Sequence, residues 1–316
     1  MLTTRRFLLF AVLMLTVRMI SAEQTPAADL RVDRAIDAVY PALVRIHVVV
    51  SDYQGGRAQR FESAGSGVII SADGYVVTNH HVAGKATSIR CVLTSRQEVD
   101  ATLIGTDPLT DISVLKLNLA DLPALRDKLP FARFGSSESL RVGDPVLAMG
   151  CPLALSQSVT KGIVSNKELI FSQRFIGPMI LDGEDVGLLV KWIAHDAQIL
   201  PGNSGGPLVN LQGEIVGINE INLGGFGGGL GGAIPSELTQ SVVQQLIEKG
   251  HISRCWVGAE FQPLLKGMLQ DRGVLLSTVI PDSPAEKAGL KPGDIIESIN
   301  GTPVHVRFRE ELPPLN

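Results

Sequence analysis

The residues best placed to do chemistry begin with one serine, in Gly202-Asn203-Ser204-Gly205-Gly206-Pro207. Gly, Asn, Ser and Pro are the usual turn formers, so composition alone also fits a plain surface turn. The flanks say more. Ile199-Leu200 precede the run, and Leu208-Val209 and Glu214–Ile218 follow it, with Asn210–Gly213 as a hairpin turn between them. Glycine takes up positive φ at little cost. The amides of such a loop can converge on one point, as stabilising an oxyanion requires. A nucleophilic serine also needs a base, and the base needs a group to orient it. Thr78-Asn79-His80-His81-Val82 follows the strand-like Gly74–Val77, and Asp107-Pro108-Leu109-Thr110-Asp111 leads into the apolar Ile112–Leu117. Either histidine could be the base and either aspartate the orienter. Pro108 favours a turn role for Asp107. Asp111 opens an apolar strand, where a carboxylate must be paired to be tolerated.

The order His, Asp, Ser is that of chymotrypsin-like enzymes. Segments 78–82, 110–115 and 196–208 resemble the three catalytic blocks of the HtrA/Deg family of trypsin-like serine proteases, and Ala233-Ile234-Pro235-Ser236 and a later PDZ-like run agree. The resemblance covers nearly the whole chain after residue 28. It implies an all-β fold, a trypsin-like double β-barrel followed by a partial PDZ (α+β) module. It makes Ser204 the nucleophile, His81 the general base and Asp111 the orienter, with the Gly202 and Ser204 amides as the oxyanion hole. It implies that Ile199, Leu200, Gly231, Gly232 and Ala233 contact substrate. The activity implied is ATP-independent cleavage of unfolded or damaged proteins in envelope quality control, with no cofactor and with a homo-oligomer, such as a trimer, as the assembly. The segment Gln198–Asn203 holds no acidic residue, so cleavage after small or medium aliphatic residues is expected rather than after Lys or Arg. The alternative is a catalytically latent chaperone or binding protein on a protease fold. Gly232 in place of the family's usual phenylalanine and Cys151 in place of asparagine keep it open.

These residues must be held by an ordered scaffold. Apolar positions at helical spacing predict an amphipathic helix over Asp29–Tyr40, stopped by Pro41. Val44–Val50 reads as the first strand and Tyr53–Glu62 as a polar loop. Gly65–Val77 reads as two strands around an Asp-Gly turn. Short β runs follow at Ser88–Thr94, Ala101–Thr106, Ile112–Leu117, Pro145–Met149, Ser158–Ser165, Leu188–Ile193, Pro207–Val209 and Glu214–Asn219. Regular short strands with polar turns argue for a barrel or sandwich. Gly224–Gly232, with seven glycines in nine residues, reads as a mobile loop, and the resemblance implies that it helps line the primary specificity pocket. Ser236–Lys249 is an amphipathic helix closed by Gly250. The domains are expected at 29–250 (protease) and 255–316 (partial PDZ). Trp256–Phe261, Gly273–Ile280, the N-capped Ser283–Leu290 and Lys291–Gly301 resemble PDZ elements. Val304–Asn316 is too short and Pro-rich for the second helix and closing strand of a peptide groove, so weak peptide capture is expected.

Composition supports this frame. The chain has 316 residues, 45% of them apolar, which allows more than one domain. A net charge of −4 offers no basic field for nucleic acid. Residues 1–22 read as an export signal, with Arg5-Arg6 ahead of an apolar run from Phe7 to Val17, which predicts a periplasmic or secreted protein. Cys91, Cys151 and Cys255 form no metal or redox pattern, and each is expected to be a small buried apolar residue, with one disulfide as the lesser alternative. His47, His251 and His305 are scattered, so no metal site is expected. His80 is expected to be structural, and His195 exposed beside the nucleophile loop, where it could tune pH dependence.

Overall fold

The computed structural model describes residues 27–312 apart from 55–56, 124–127, 152–156, 171–179, 182–183, 188, 223–228, 269, 271 and 309–310. The export signal and most of the glycine run therefore lie outside the described residues. Among those described, no helix is long and apolar enough to cross a membrane.

Helix α1 (Ala27–Val39) ends where Pro41 enters the following turn, and it buries Ala35 and Val39. Strands β1 (Leu43–Gln54), β2 (Arg57–Ile69), β3 (Tyr75–Thr78), β4 (Ala86–Leu93), β5 (Glu98–Asp107) and β6 (Ile112–Leu117) form a closed antiparallel barrel in the order β1-β2-β3-β6-β5-β4. Between β3 and β4 lies the single-turn helix α2 (His80–Ala83). Val44, Ile46 and Val48 share one face of β1 and fill the barrel, as a strand's two-residue period requires. Beyond Val50, β1 and β2 continue as a two-stranded ribbon, pairing Ser51 with Arg60 and Tyr53 with Ala58. The loop expected over Tyr53–Glu62 is thus a hairpin extension. Its ladder hydrogen bonds are made by the backbone whatever the side chains, so polarity gave the wrong sign.

The second barrel uses β8 (Pro145–Gly150), β9 (Ser158–Leu169), β12 (Trp192–His195), β13 (Pro207–Val209), β14 (Glu214–Asn222) and β15 (Gly231–Pro235). The sheet runs β13-β8-β9-β12-β15-β14, and pairing of β13 with β14 closes it. Short β7 (Arg133–Phe134) adds a parallel edge on β14, and β10 (Ile180–Leu181) and β11 (Glu184–Asp185) form a separate ribbon. The strand expected over Leu188–Ile193 begins instead at Trp192. Helix α3 (Ser236–Lys249) buries Val242, Val243 and Leu246 in one cluster with first-barrel residues such as Leu115, and Gly250 caps it at φ 75°.

The C-terminal module holds β16 (Ala259–Gln262), β17 (Val274–Val279) and β18 (Ile295–Ile296) in one sheet, and β19 (Ser298–Ile299) with β20 (Thr302–Pro303) in a hairpin. Helix α4 (Pro284–Lys287) starts as expected: Glu286 N–H donates to the Ser283 hydroxyl at 3.2 Å. Val274, Val304 and Val306 form its small core. All three cysteines are free. Cys91 and Cys151 are buried as expected, with their thiols pushed up by burial to about 12 and about 11, whereas Cys255 is exposed. The linker packs its Ile252 on the core and leaves Cys255 facing solvent, which corrects that expectation.

Candidate active site

Two contiguous turns present the histidine and the aspartate. Thr78 ends β3, and Asn79 leads into α2, whose second residue is His81. Asp111 closes the turn Pro108–Thr110 in the left-handed conformation, φ 54°, a region that Asp tolerates better than most residues. The two turns are laced together. His80 N–H donates to the Asp111 carbonyl at 3.0 Å, and the Asn79 side-chain amide donates to the same oxygen at 2.9 Å. The Asp111 carboxylate faces His81. Its Oδ1 accepts the His81 backbone N–H at 2.9 Å, and its Oδ2 meets Nδ1 at 2.8 Å. A carboxylate only accepts, so Nδ1 carries the hydrogen and Nε2 keeps its lone pair. Asp111 is fully buried and His81 is 24% exposed. His80 turns the other way and meets Thr106 Oγ1 at 2.7 Å, the structural role expected of it.

Ser204 sits where the second barrel meets the first. Gly202 and Gly205 on either side adopt φ 98° and 85°. A Cβ on Gly205 would collide with the Ser66 carbonyl oxygen and with Thr78 Oγ1, so only glycine lets this loop press against the first barrel. The Ser204 hydroxyl donates to the Glu220 carbonyl at 2.9 Å. Glu220 itself is buried, and its carboxylate lies with His81 and Asp111 in a group whose polar atoms are all within 4.8 Å of one another. Burial first, then the Asp111 charge and a hydrogen bond to Asp111, push the Glu220 carboxyl well above the usual range. Three such donors could ring a cation, but that would require Glu220 ionised, which the same burial opposes.

Of the residues expected to contact substrate, Ile199, Gly231, Gly232 and Ala233 are buried, and Leu200 is half-buried. Ile199 and Gly231 meet around a third side chain. A Cβ on Gly231 would strike both Ile199 and the His195 ring. His195, expected to be exposed, is fully buried on β12 opposite Gly231. Among the described residues, neither ring nitrogen has a hydrogen-bond partner of ordinary geometry. Burial therefore holds its imidazole down at about 4, only partly offset by the Ala197 backbone and the Asn219 side chain.

Asp107, expected as a turn residue, is buried, accepts from Thr110 and receives a two-armed ion pair from Arg254 at 2.5 and 2.6 Å. Two other residues went unread. Ser66 on β2 donates its hydroxyl to the Gly202 carbonyl at 2.6 Å, accepts Cys151 N–H at 2.7 Å, and donates its own N–H to the Ser204 carbonyl at 2.9 Å. Glu220 is the other. The glycines flanking Ser66 were a weak signal for close approach. Nothing local marks Glu220.

Two six-stranded antiparallel barrels with a serine, a histidine and an aspartate gathered at their junction define a trypsin-like fold. Residues 65–218 match the trypsin-like peptidase domain family and residues 276–310 match a PDZ domain. Among curated relatives, a protein of Pseudomonas fulva called "probable periplasmic serine endoprotease DegP-like" is 42% identical over 79% of this chain and 50% of its own length. One of the same description from Brucella suis is 40% identical over 80% of this chain and 49% of its own. The chain thus spans about half the length of these relatives. Among solved structures, the HtrA-type protease AlgW with a decapeptide superposes with a TM-score of 0.69 at 33% identity, covering 87% of each chain. A serine endoprotease from Yersinia pestis gives 0.62 at 32% identity, covering 86% of this chain and 83% of that one. The chain belongs to the HtrA/Deg family of trypsin-like proteases with a PDZ domain.

Proposed function

We propose that this chain is an ATP-independent serine endopeptidase, cleaving unfolded or damaged proteins in the periplasm and needing no cofactor. The observation that carries this is the double hydrogen bond from His81 to Asp111, beside a serine on a glycine-lined loop. Ser204 attacks the scissile carbonyl. His81 Nε2 takes its proton and returns it to the leaving amine. Asp111 fixes the tautomer, and the Gly202 and Ser204 amides receive the oxyanion. In the resting arrangement the Ser204 proton points to the Glu220 carbonyl. A hydroxyl has one proton to give, so rotation about the Ser204 Cα–Cβ bond precedes transfer to His81. Ile199, Gly231 and Ala233 offer an apolar wall, with neutral His195 behind it, to a small or medium aliphatic side chain. The protease region is 29–250 and the PDZ module 255–316. The working assembly is a homo-oligomer such as a trimer.

The parked serine favours a second reading, a latent chaperone on a protease fold. Labelling with a fluorophosphonate and cleavage of casein separate the two. The wild type is expected to label and cleave, and Ser204→Ala to do neither while keeping its fold. Because triad members act as a unit, His81→Ala should lose nearly as much. Unlabelled wild type would favour latency, and turnover by Ser204→Ala would remove Ser204 from the mechanism.

A further inference from the structure

Glu220 touches two of the three residues assigned to catalysis by two different parts of itself. Its main-chain carbonyl accepts the Ser204 hydroxyl at 2.9 Å. Its side chain, 6% exposed, brings a carboxylate oxygen within 4.8 Å of both an Asp111 oxygen and a His81 ring nitrogen. Both Asp111 oxygens already accept from His81, one from its backbone and one from its ring. A further bond between two carboxyl groups exists only if one of them carries a proton. Asp111 cannot hold that proton and still accept both His81 bonds so well, because a protonated oxygen donates instead. Glu220 Oε2 has no hydrogen-bond partner among the described residues. An ionised carboxylate with a dry, unpartnered oxygen is costly, whereas a neutral acid loses much less. The titratable groups facing this side chain are Asp111, from the turn before β6, and His81, from α2. The strand that carries Glu220 is pinned to the nucleophile loop on both sides of the main chain. Gly205 N–H donates to the Asn219 carbonyl at 2.9 Å and Asn219 N–H to the Gly206 carbonyl at 2.8 Å.

We propose that Glu220 is a positioning residue of this site, a neutral carboxylic acid whose O–H donates to the Asp111 carboxylate while its carbonyl parks the Ser204 hydroxyl. The inference rests on the reading of Ser204, His81 and Asp111 as a triad. The donated bond holds Asp111 in the rotamer that grips His81 without adding charge. Ionising Glu220 would set two negative charges side by side against one imidazole. That repulsion would push the Asp111 carboxylate out of the rotamer that grips His81.

Two variants and one spectroscopic readout test this in the full chain. Glu220→Gln keeps a neutral donor of the same shape, and kcat/KM is expected within about 3-fold of wild type. Glu220→Ala removes it, and kcat is expected to fall about 10- to 100-fold with KM little changed, the size of a lost bond to a charged group. Infrared difference spectra of wild type against Glu220→Gln at neutral pH should show a carboxylic-acid C=O stretch that is present only in wild type. That band requires no catalysis, so it reports on Glu220 even if the chain proves inactive, and fluorophosphonate labelling reports separately on Ser204. The band also decides the matter if Glu220→Ala does not fold. Its absence from wild type, a Glu220→Gln as poor as Glu220→Ala, or a folded Glu220→Ala with wild-type kcat would each overturn the proposal.

Discussion

His195 is an imidazole with no exposure, behind the apolar wall formed by Ile199 and Gly231. Burial holds it near 4, against an ordinary value of 6.5, so the native state refuses a proton that the unfolded chain accepts. Between those values the unfolded state binds more protons, and stability falls as pH falls. The contribution is fully present above about 6.5 and gone below about 4, a difference on the order of 3 kcal/mol. Urea unfolding at pH 7 and pH 4.5 should show this loss in wild type, and His195→Asn, which cannot titrate, should flatten it. An equally steep decline in the variant would place the acid sensitivity elsewhere. The meeting of His81 with Asp111 was legible because each lies in a short run whose neighbours mark it. The burial of His195 was not, because it depends on β12 pairing with β15, a strand 36 residues further on by number from His195 to Gly231.

At the scale of elements, the turn Pro108–Thr110 decides where Asp111 points. It is fastened from below. Asp107, 3% exposed, accepts from Thr110 and takes both arms of Arg254, which lies in the linker after α3. The linker that leads to the PDZ module is therefore ion-paired to the turn that carries the aspartate proposed to orient His81. Removing Arg254 leaves a buried carboxylate without its cation. Such a break costs about 3–5 kcal/mol in a fully buried pair, and one-third exposure of Arg254 reduces this to about 2. Arg254→Met is expected to lower the urea midpoint accordingly and to reduce kcat more than KM, since Asp111 loses its rigid footing. Wild-type stability with wild-type kcat would mean that the pair is only a surface contact. The elements themselves were largely legible: α1, α3, most barrel strands and the Ser283 cap lie where periodicity and turn chemistry put them. The hairpin over residues 53–62 was not, because its backbone pairing is made by polar residues as readily as by apolar ones.

Across the whole molecule, catalysis on this fold needs one barrel's histidine and aspartate to meet the other barrel's serine loop. Ser66 is the fastening between them that sequence gave no means to read, since its partner Gly202 lies 136 positions away. Its side chain is fully buried, and it bridges the Gly202 carbonyl at 2.6 Å and the Cys151 N–H at 2.7 Å. Its backbone holds Ser204 and Thr78 as well, through the Ser204 carbonyl at 2.9 Å and the Thr78 hydroxyl at 2.7 Å. Ser66→Ala keeps those backbone bonds and the barrel core while deleting only the hydroxyl. It orphans one buried N–H, at about 1–3 kcal/mol before any water enters, and one half-buried carbonyl, which costs less because water can reach it. The Gly202 peptide also loses the bond that fixes its rotation. The amides proposed to hold the oxyanion then no longer point at one position, and a misdirected donor costs about as much as a missing one, on the order of 100-fold in kcat. Substrate binding along the apolar wall does not use Ser66, so KM should hardly move. Steady-state kinetics with casein-derived peptides, beside urea unfolding of the same variant, measure both consequences. A stability loss with kcat unchanged would reduce Ser66 to packing between the barrels. A kcat loss larger than the stability loss would show that this one hydroxyl aligns the oxyanion amides across the junction.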